Sequence, residues 1–576
     1  GALLRRFYAL AEKGGRFRVL RSVEEALPIL RSAREGAARR EEFYRSGTTP
    51  IHLLASMGRF PLVDLYHRLL SANGQDPAPV RQSPLRTRHG GRPAPALSTE
   101  RVQWRLHADV TAILLSHHLG VLAAVERTFG PIRIAPELIP SLLEMRTRLA
   151  PHQTSQAEAA RALDRAAHSG HFAPATDRSL PRPPEESWHV ETGPDWADLW
   201  HRAAAEDALV CDDLPLYQGG DLSRPVELPS VVLARVVEPA GIAGALLGLE
   251  AITQDAHSAA VAHLPEPGPV AGTAHPLPGQ RIHCAHGAAG ILAQMGVLEA
   301  ACRAFQVTVP PDDLQEAEAL LLATATREAE DRWLAELVQH LSEGIDAGTY
   351  EVIPAVPPAP SSDADDEEDE PDDRTMASLR TLLRFEARPG DVAWFDDRYM
   401  TGFLHREGCP VVDTVEVLAA LASAGGISRA DYFHHLHRMR AENVRLVAPS
   451  GEELSYQLRR ARVDTGQLLE TPELEVLRRY VAATLLDGQS LQRAITPEGI
   501  PAERHELTYV LAVQHSLDEA LAGLWEDEAM PEPERRARGE WLVRNLFLDI
   551  GSGRGVVGLH EPHEDDRYHL ALSLAG

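Results

Sequence analysis

The spacing of apolar positions changes along the chain, and the changes mark the elements. Through residues 1–75 apolar positions recur at helical spacing, most clearly in "VEEALPILRSARE" and "PLVDLYHRLLSAN". Short apolar runs bounded by polar residues, among them "VQWRLHAD", "PIRIAP", "QRIHCA" and "QVTVPP", read as buried strands. From about residue 455 the pattern is helical again, and "TPELEVLRRYVAATLL" opens with a threonine cap and a proline at the first turn. Proline-rich stretches at 77–98, 181–184, 264–279 and 354–360 punctuate the chain.

One stretch recurs. Residues 107–136 align with 283–311, so that Gly120 falls on Gly296, Leu122 on Leu298 and Phe129 on Phe305. In both copies a short strand precedes the helix and another follows it. That β-α-β order predicts parallel strands. Each copy then runs through further helices to a second shared pattern: "DALVCDDLPLYQG" at 207–219 and "DVAWFDDRYMTGF" at 391–403. Both are an Asp, four residues, then Asp-Asp, an aromatic and a glycine. An acidic doublet at the end of a buried strand is costly unless a cation or another partner compensates it. A helix cap is the plainer use of one such doublet; its recurrence at the same place after a β-α-β unit favours a shared architecture.

Length and charge narrow the reading. At 576 residues the chain exceeds one ordinary core, and two to four domains are expected. The net charge is −27, and "DADDEEDEPDD" at 363–373 supplies nine of the negative charges as a solvated loop. This acidity counts against a broad nucleic-acid-binding face, but not against a local carboxylate cluster neutralised by a metal. Four scattered cysteines without a C-x-x-C exclude a disulfide framework and fit a reducing cytosol, and no apolar run is long enough to span a membrane. Lys13 is the only lysine, as in GC-rich bacterial genomes, and the absence of an initiating methionine suggests a piece of a longer protein.

The string "FDDRYMTGFLHREGCPVVDTVEVLAALASAGGIS" resembles the C-terminal half of a PIN domain, and "ADVTAILLSHHLGVL" resembles the N-terminal half. The resemblance covers roughly 102–260 and 280–450 as two half-motifs per copy. It implies an α/β protein with two tandem PIN-like three-layer domains, parallel sheets, and helical N- and C-terminal regions. The expected division is a helical region 1–76, a linker 77–100, PIN-like domains at 101–262 and 280–450 joined by 263–279, an acidic loop 361–374 within the second, and a helical region 451–576.

PIN domains are metal-dependent nucleases, mostly ribonucleases, with acids gathered at the carboxyl edge of a parallel sheet. Carried onto this sequence, the family pattern matches the first copy at Asp109, Thr111 and Asp212, with Asp213 beside it. Asp109, Asp212 and Asp213 would hold Mg²⁺ or Mn²⁺. The middle acid falls on Ser141, leaving Glu137 or Glu144 to complete the shell. In the second copy Asp396, Asp397 and Thr414 match, but Ala285 stands opposite Asp109, and Glu316 and Glu318 only bracket the middle acid. The resemblance thus implies an endoribonuclease acting on single-stranded RNA in the cytoplasm, as the effector part of a larger bacterial regulatory or defence protein. The alternative is an inactive PIN-like scaffold that binds protein partners or further domains of the same chain. The histidines at 116–119, 283–286 and 433–437 lack zinc spacing. "FLDIGSGRGVVGL" at 547–559 resembles the first glycine motif of methyltransferases that bind S-adenosylmethionine, but only 17 residues follow it, too few for the further strands that motif needs.

Overall fold

The computed structural model describes residues 23–76, 81–92, 103–149, 154–174, 187–218, 221–262, 272–355, 373–487 and 508–546, with isolated residues 94, 95, 97, 264, 491 and 506. The acidic stretch 361–372 and the glycine-rich 547–559 lie outside the described residues. Twelve strands carry the argument: β1 Arg105–Ala108, β2 Ile132–Ile134, β3 Leu209–Cys211, β4 Tyr217–Gln218, β5 Asp221–Pro225, β6 Val236–Val237, β7 Arg281–Cys284, β8 Gln306–Thr308, β9 Tyr350–Val352, β10 Asp391–Trp394, β11 His405–Arg406 and β12 Cys409–Val412. The class is mixed α/β, mostly helical, with parallel sheets. No helix among the described residues is long and apolar enough to cross a membrane.

The chain forms two compact units, and neither is a continuous stretch: one comprises 1–36 with 150–329, the other 37–149 with 330–576. In the larger unit the sheet order is β11-β12-β10-β1-β2-β9, with only β11 antiparallel. One face of its central strands is apolar and buried (Leu106, Ala108, Ile132, Val392 and Trp394), while the other carries Arg105, His107 and Arg133 around Asp391. Helix Val110–Leu119 is buried on nearly every side. The C-terminal helices share this core through Leu454, Leu458, Tyr480, Tyr509, Val513 and Leu542.

In the smaller unit the main sheet runs β6-β3-β7-β8, all parallel, beside a β4-β5 hairpin. It has its own core, built on residues such as Ile242, Leu246, Ile282, Leu292 and Val307.

The expected division into 101–262 and 280–450 is therefore not the one the sheets follow. The strand before the first repeated helix, β1, pairs with β10 from the second Asp-Asp segment, while β7 pairs with β3 from the first. The halves are exchanged between copies. At residue level the two arrangements speak the same code. Arg105 and His107 on β1 meet Asp391 at 2.9 and 3.3 Å; Arg281 and His283 on β7 meet Glu206 at 3.0 and 3.2 Å. Either N-terminal half thus presents an Arg and a His to an acid ahead of either C-terminal half. Closing the longer connection costs little extra, since loop entropy grows only logarithmically with length.

The expected linker 77–100 also differs. Its described centre, residues 81–92, is largely buried, with Arg86, Thr87, Arg88, His89 and Arg92 all under 7% exposed. The arginines that read as linker composition are instead partners for buried acceptors. Arg92 reaches Glu416 and the carbonyls of Thr401, Phe403 and Val411 at 2.6–2.8 Å.

Candidate functional site

In the larger unit three neighbouring parallel strands end in acids. Asp109 follows β1, Asp396 and Asp397 lie just beyond β10, and Asp413 follows β12. The strand ends of an open parallel sheet are where such folds gather their chemistry. All four carboxylates are at most 2% exposed.

Asp109 caps helix Val110–Leu119, its Oδ2 accepting from the Thr111 N–H at 3.0 Å and the Thr111 hydroxyl at 2.5 Å. The same hydroxyl accepts from the Asp396 N–H at 3.1 Å, tying two strand ends together. Asp396 in turn accepts from the Thr414 N–H at 3.0 Å and from the Thr414 hydroxyl. Asp413 caps helix Thr414–Ser423 in a capping box with Glu416. That Asp-x-x-Glu spacing was a signal for Asp413 that the family pattern passed over.

The remaining partners come from residues 51–88. His52 Nε2 lies 2.8 Å from Asp109 Oδ2, and both side chains are fully buried. The Ile51 N–H donates to Asp397 Oδ2 at 2.6 Å, and the Met400 N–H to Oδ1 at 2.7 Å. Arg88 pairs with Asp413, and the Tyr66 hydroxyl donates to the Asp396 carbonyl. Asp109 Oδ1 and His52 Nδ1 are buried with no hydrogen-bond partner among the described residues. Nothing in the sequence marked His52, Tyr66 or Arg88, because each works through a contact far away in sequence, 57 positions for His52 and more than 300 for the other two.

The charges respond to this setting. Burial opposes the charge on Asp109, but His52 and the Thr111 bonds outweigh it and hold the carboxyl below its ordinary range. Burial, then the Asp413 charge, pushes Asp396 up to about 8 despite the Thr414 bonds. Asp397 is also raised, chiefly by burial.

The smaller unit holds a sparser edge. The Ala285 N–H donates to the Cys211 carbonyl at 2.9 Å, just as the Asp109 N–H donates to Trp394 at 3.0 Å, so alanine occupies the position Asp109 has in the other sheet. The pairings Cys284↔Cys211 and Ala108↔Trp394 then set Asp213, not Asp212, level with Asp396. This is one residue off the doublet alignment, and a one-residue shift turns a strand side chain to the opposite face. Asp212 is mostly buried against Trp196 Nε1 at 2.7 Å, and burial pushes it up to about 6. Glu238 precedes helix Pro239–Gly248 as Asp413 precedes its own helix. Asp313 pairs with His286 at 2.6 Å.

Of the expected set, Asp109 thus stands with Asp396, Asp397 and Thr414 in one sheet, and Asp212 and Asp213 belong to another. Ser141 is buried and donates to the Leu138 carbonyl; Glu137 accepts from Thr381, and Glu144 pairs with Arg148 at 2.5 Å. Glu316 and Glu318 lie on helix Pro311–Asp346, with Glu316 3.8 Å from His286. Among the described residues, no three His, Cys, Asp or Glu side chains are arranged to hold a metal ion.

No curated protein and no solved structure matches the chain. A family model described as HTH_upstream_double_PIN matches residues 23–92. The match links this region to a double-PIN context, and it spans the residues that supply His52, Tyr66 and Arg88 to the acidic edge.

Proposed function

We propose that the larger unit carries a PIN-like, metal-dependent ribonuclease centre, and that the smaller unit is its degenerate counterpart. The observation that carries the reading is the gathering of Asp109, Asp396, Asp397 and Asp413 at the carboxyl edge of one parallel sheet. Four carboxylates are the oxygen donors that Mg²⁺ and Mn²⁺ prefer, and the unpartnered Asp109 Oδ1 is the atom such an ion would satisfy. Asp109, Asp396 and Asp413, with Asp397 beside them, would hold the ion once turned from the protein donors they now face. When bound, the ion would generate hydroxide from water and offset charge at a phosphoryl centre.

The chain's own contribution is orientation. Thr111 and Thr414 fix the rotamers of Asp109 and Asp396 by bonds from hydroxyl and backbone alike. Single-stranded RNA is the substrate class proposed, in a cytoplasmic bacterial protein of regulatory or defence type. In the smaller unit Ala285 removes the acid that Asp109 supplies, which leaves Asp213 and Glu238 without their third member.

A second reading keeps its own support: every one of the four carboxylates is buried against the protein's own donors. On that ground the unit would be an inactive scaffold that binds protein partners. The test is Mn²⁺ binding and cleavage of single-stranded RNA by the intact chain and by chains with His52 substituted. The nuclease reading predicts both activities, and loss of both in Asp396→Asn. If neither ion binding nor cleavage occurs in any of these chains, the scaffold reading stands.

A further inference from the structure

We propose that residues 47–76 and 81–92 are a displaceable stopper that keeps a divalent cation out of the acidic edge by putting His52, Arg88 and the Ile51 N–H in its place. The inference rests on the reading of that edge as a metal site.

Four observations point to a stopper rather than a fixed pillar. The first is chemical. The segment offers three of the four acids a cation or a donor: His52 to Asp109, Arg88 to Asp413, the Ile51 N–H to Asp397. Arg88 holds an oxygen of Asp413, one of the proposed ligands, and His52 stands on Asp109 beside the Oδ1 that an ion would take, so ion and segment compete for the edge. The second is that the fit is incomplete. Asp109 Oδ1 and His52 Nδ1 both end unpartnered in a fully buried contact, whereas a permanent core would satisfy them. The third is packing. On another side the segment lines a cavity of about 680 Å³ with Tyr44, Ile51, Leu54, Phe60, Leu65 and Leu69. That pocket is open to solvent, so the segment is not fully packed against protein on this side. The fourth is the backbone. Tyr66, whose hydroxyl reaches the Asp396 carbonyl, sits in a π-helical turn, Asp64–Leu69, a geometry that recurs at functional sites.

The segment thus holds the centre in a resting state. A cation enters only in the fraction of molecules where the segment has lifted, and its apparent affinity is reduced by that fraction. Whatever draws the segment away, a partner protein or the substrate itself, switches the centre on.

The decisive experiment follows amide hydrogen exchange in the wild-type 576-residue chain, with and without Mn²⁺, alongside Mn²⁺ binding to wild type, His52→Ala and His52→Gln. Competition predicts that Mn²⁺ speeds exchange at Ile51–Leu54 and Thr87–Arg92 by about tenfold while β1 and β10 stay protected. It also predicts about tenfold tighter Mn²⁺ binding by His52→Ala, with His52→Gln, which keeps a donor, close to wild type. Equal affinity in all three chains, with exchange of the segment unchanged or slowed by Mn²⁺, overturns the stopper and leaves the metal site intact. If His52→Ala exchanges faster in the segment yet binds no Mn²⁺, the metal-site reading fails and the stopper falls with it. If His52→Ala does not fold, the wild-type exchange measurement decides alone.

Discussion

The backbone N–H of Asp396 donates to the hydroxyl of Thr111 at 3.1 Å, across 285 positions of sequence. That bond joins the N-terminal half of the first repeat to the C-terminal half of the second. It also changes the chemical inventory. Read as consecutive domains, the repeats seem to hold one incomplete acidic site and one that has lost a main ligand. With the halves exchanged, Asp109, Asp396, Asp397 and Asp413 stand at a single edge, and the deficit falls on the other sheet.

The exchange predicts which pieces fold alone. Arg146 and Asp331 pair at 2.9 and 3.1 Å, so the chain leaves the larger unit and returns to it at neighbouring points. A chain in which a short Gly/Ser linker joins residue 149 to residue 330, beginning at residue 37, should therefore fold and melt in one cooperative transition. Residues 101–262 alone should not, because β1 would lack β10 and β2 would lack β9. Circular dichroism melts of the two chains check this. A cooperative 101–262 would mean the strands can pair within their own copy.

What was legible in the sequence follows from what each signal encodes. Short buried runs marked the strands, because burial of at least one face leaves apolar residues at alternate positions: "RLHA", "RIHC" and "DVAW" all became strands. The same runs could not name their partners. Arg105 and Arg281 stand one place ahead of similar apolar residues, and each meets an acid, Asp391 and Glu206 respectively. The doublets suggested one register by spacing, and the sheet took another, since pairing is set by neighbouring strands. Composition was least informative at 81–92. Prolines, glycines and arginines read as linker, yet these arginines are bound by Asp413, Glu416 and backbone carbonyls that only the fold brings near.

The repeat itself makes a symmetrical prediction. Gly120 and Gly296 both adopt left-handed backbone, with φ of 74° and 71°, and a Cβ at either would meet nothing within 4 Å. Replacement by alanine costs backbone strain alone. Gly120→Ala and Gly296→Ala should each destabilise by about 1 kcal/mol, and by similar amounts. Denaturant titrations that found one of them neutral would show that the two turns differ in a way their geometry does not.

Acid should loosen the larger unit through its histidines. His67 stacks on Trp333 with centroids 4.1 Å apart, and its Nδ1 lies 3.1 Å from His118 Nδ1. Burial first, then the His118 and His117 charges, lowers His67 to about 4; Glu442 opposes this and Arg438 adds to it. Burial, then His340 and His118, lowers His117 to about 4, against Glu126. The unfolded chain therefore binds these protons more readily than the folded one. Their contribution to stability is complete above the ordinary value of 6.5 and is lost as pH falls toward 4. The melting temperature should drop across that window. His67→Phe, which keeps the stacking but cannot be protonated, should flatten the slope; an unchanged slope would place the acid sensitivity elsewhere.

The last prediction separates carboxylates that look alike in sequence. Asp109 is ionised and paired with a buried His52, so Asp109→Asn leaves that imidazole without its counter-charge. Breaking a buried pair in this way costs on the order of 3 kcal/mol. Asp396 is pushed up to about 8 and is already protonated at neutral pH. Asp396→Asn keeps an acceptor for the Thr414 N–H and presents an amide to a hydroxyl that can turn to accept. Its cost should stay within about 1 kcal/mol. Asp212, raised to about 6 by burial, has lost part of its charge preference as well, and Asp212→Asn should be neutral or slightly stabilising at pH 7. Melts of the three variants thus rank Asp109→Asn far below the other two. Activity, on the proposed function, ranks them differently. Asp109→Asn and Asp396→Asn should both abolish Mn²⁺-dependent cleavage of single-stranded RNA, because both acids belong to one edge, while Asp212→Asn, in the other sheet, should cut as wild type does. A protein in which Asp212→Asn lost cleavage and Asp396→Asn kept it would carry its chemistry in the smaller unit.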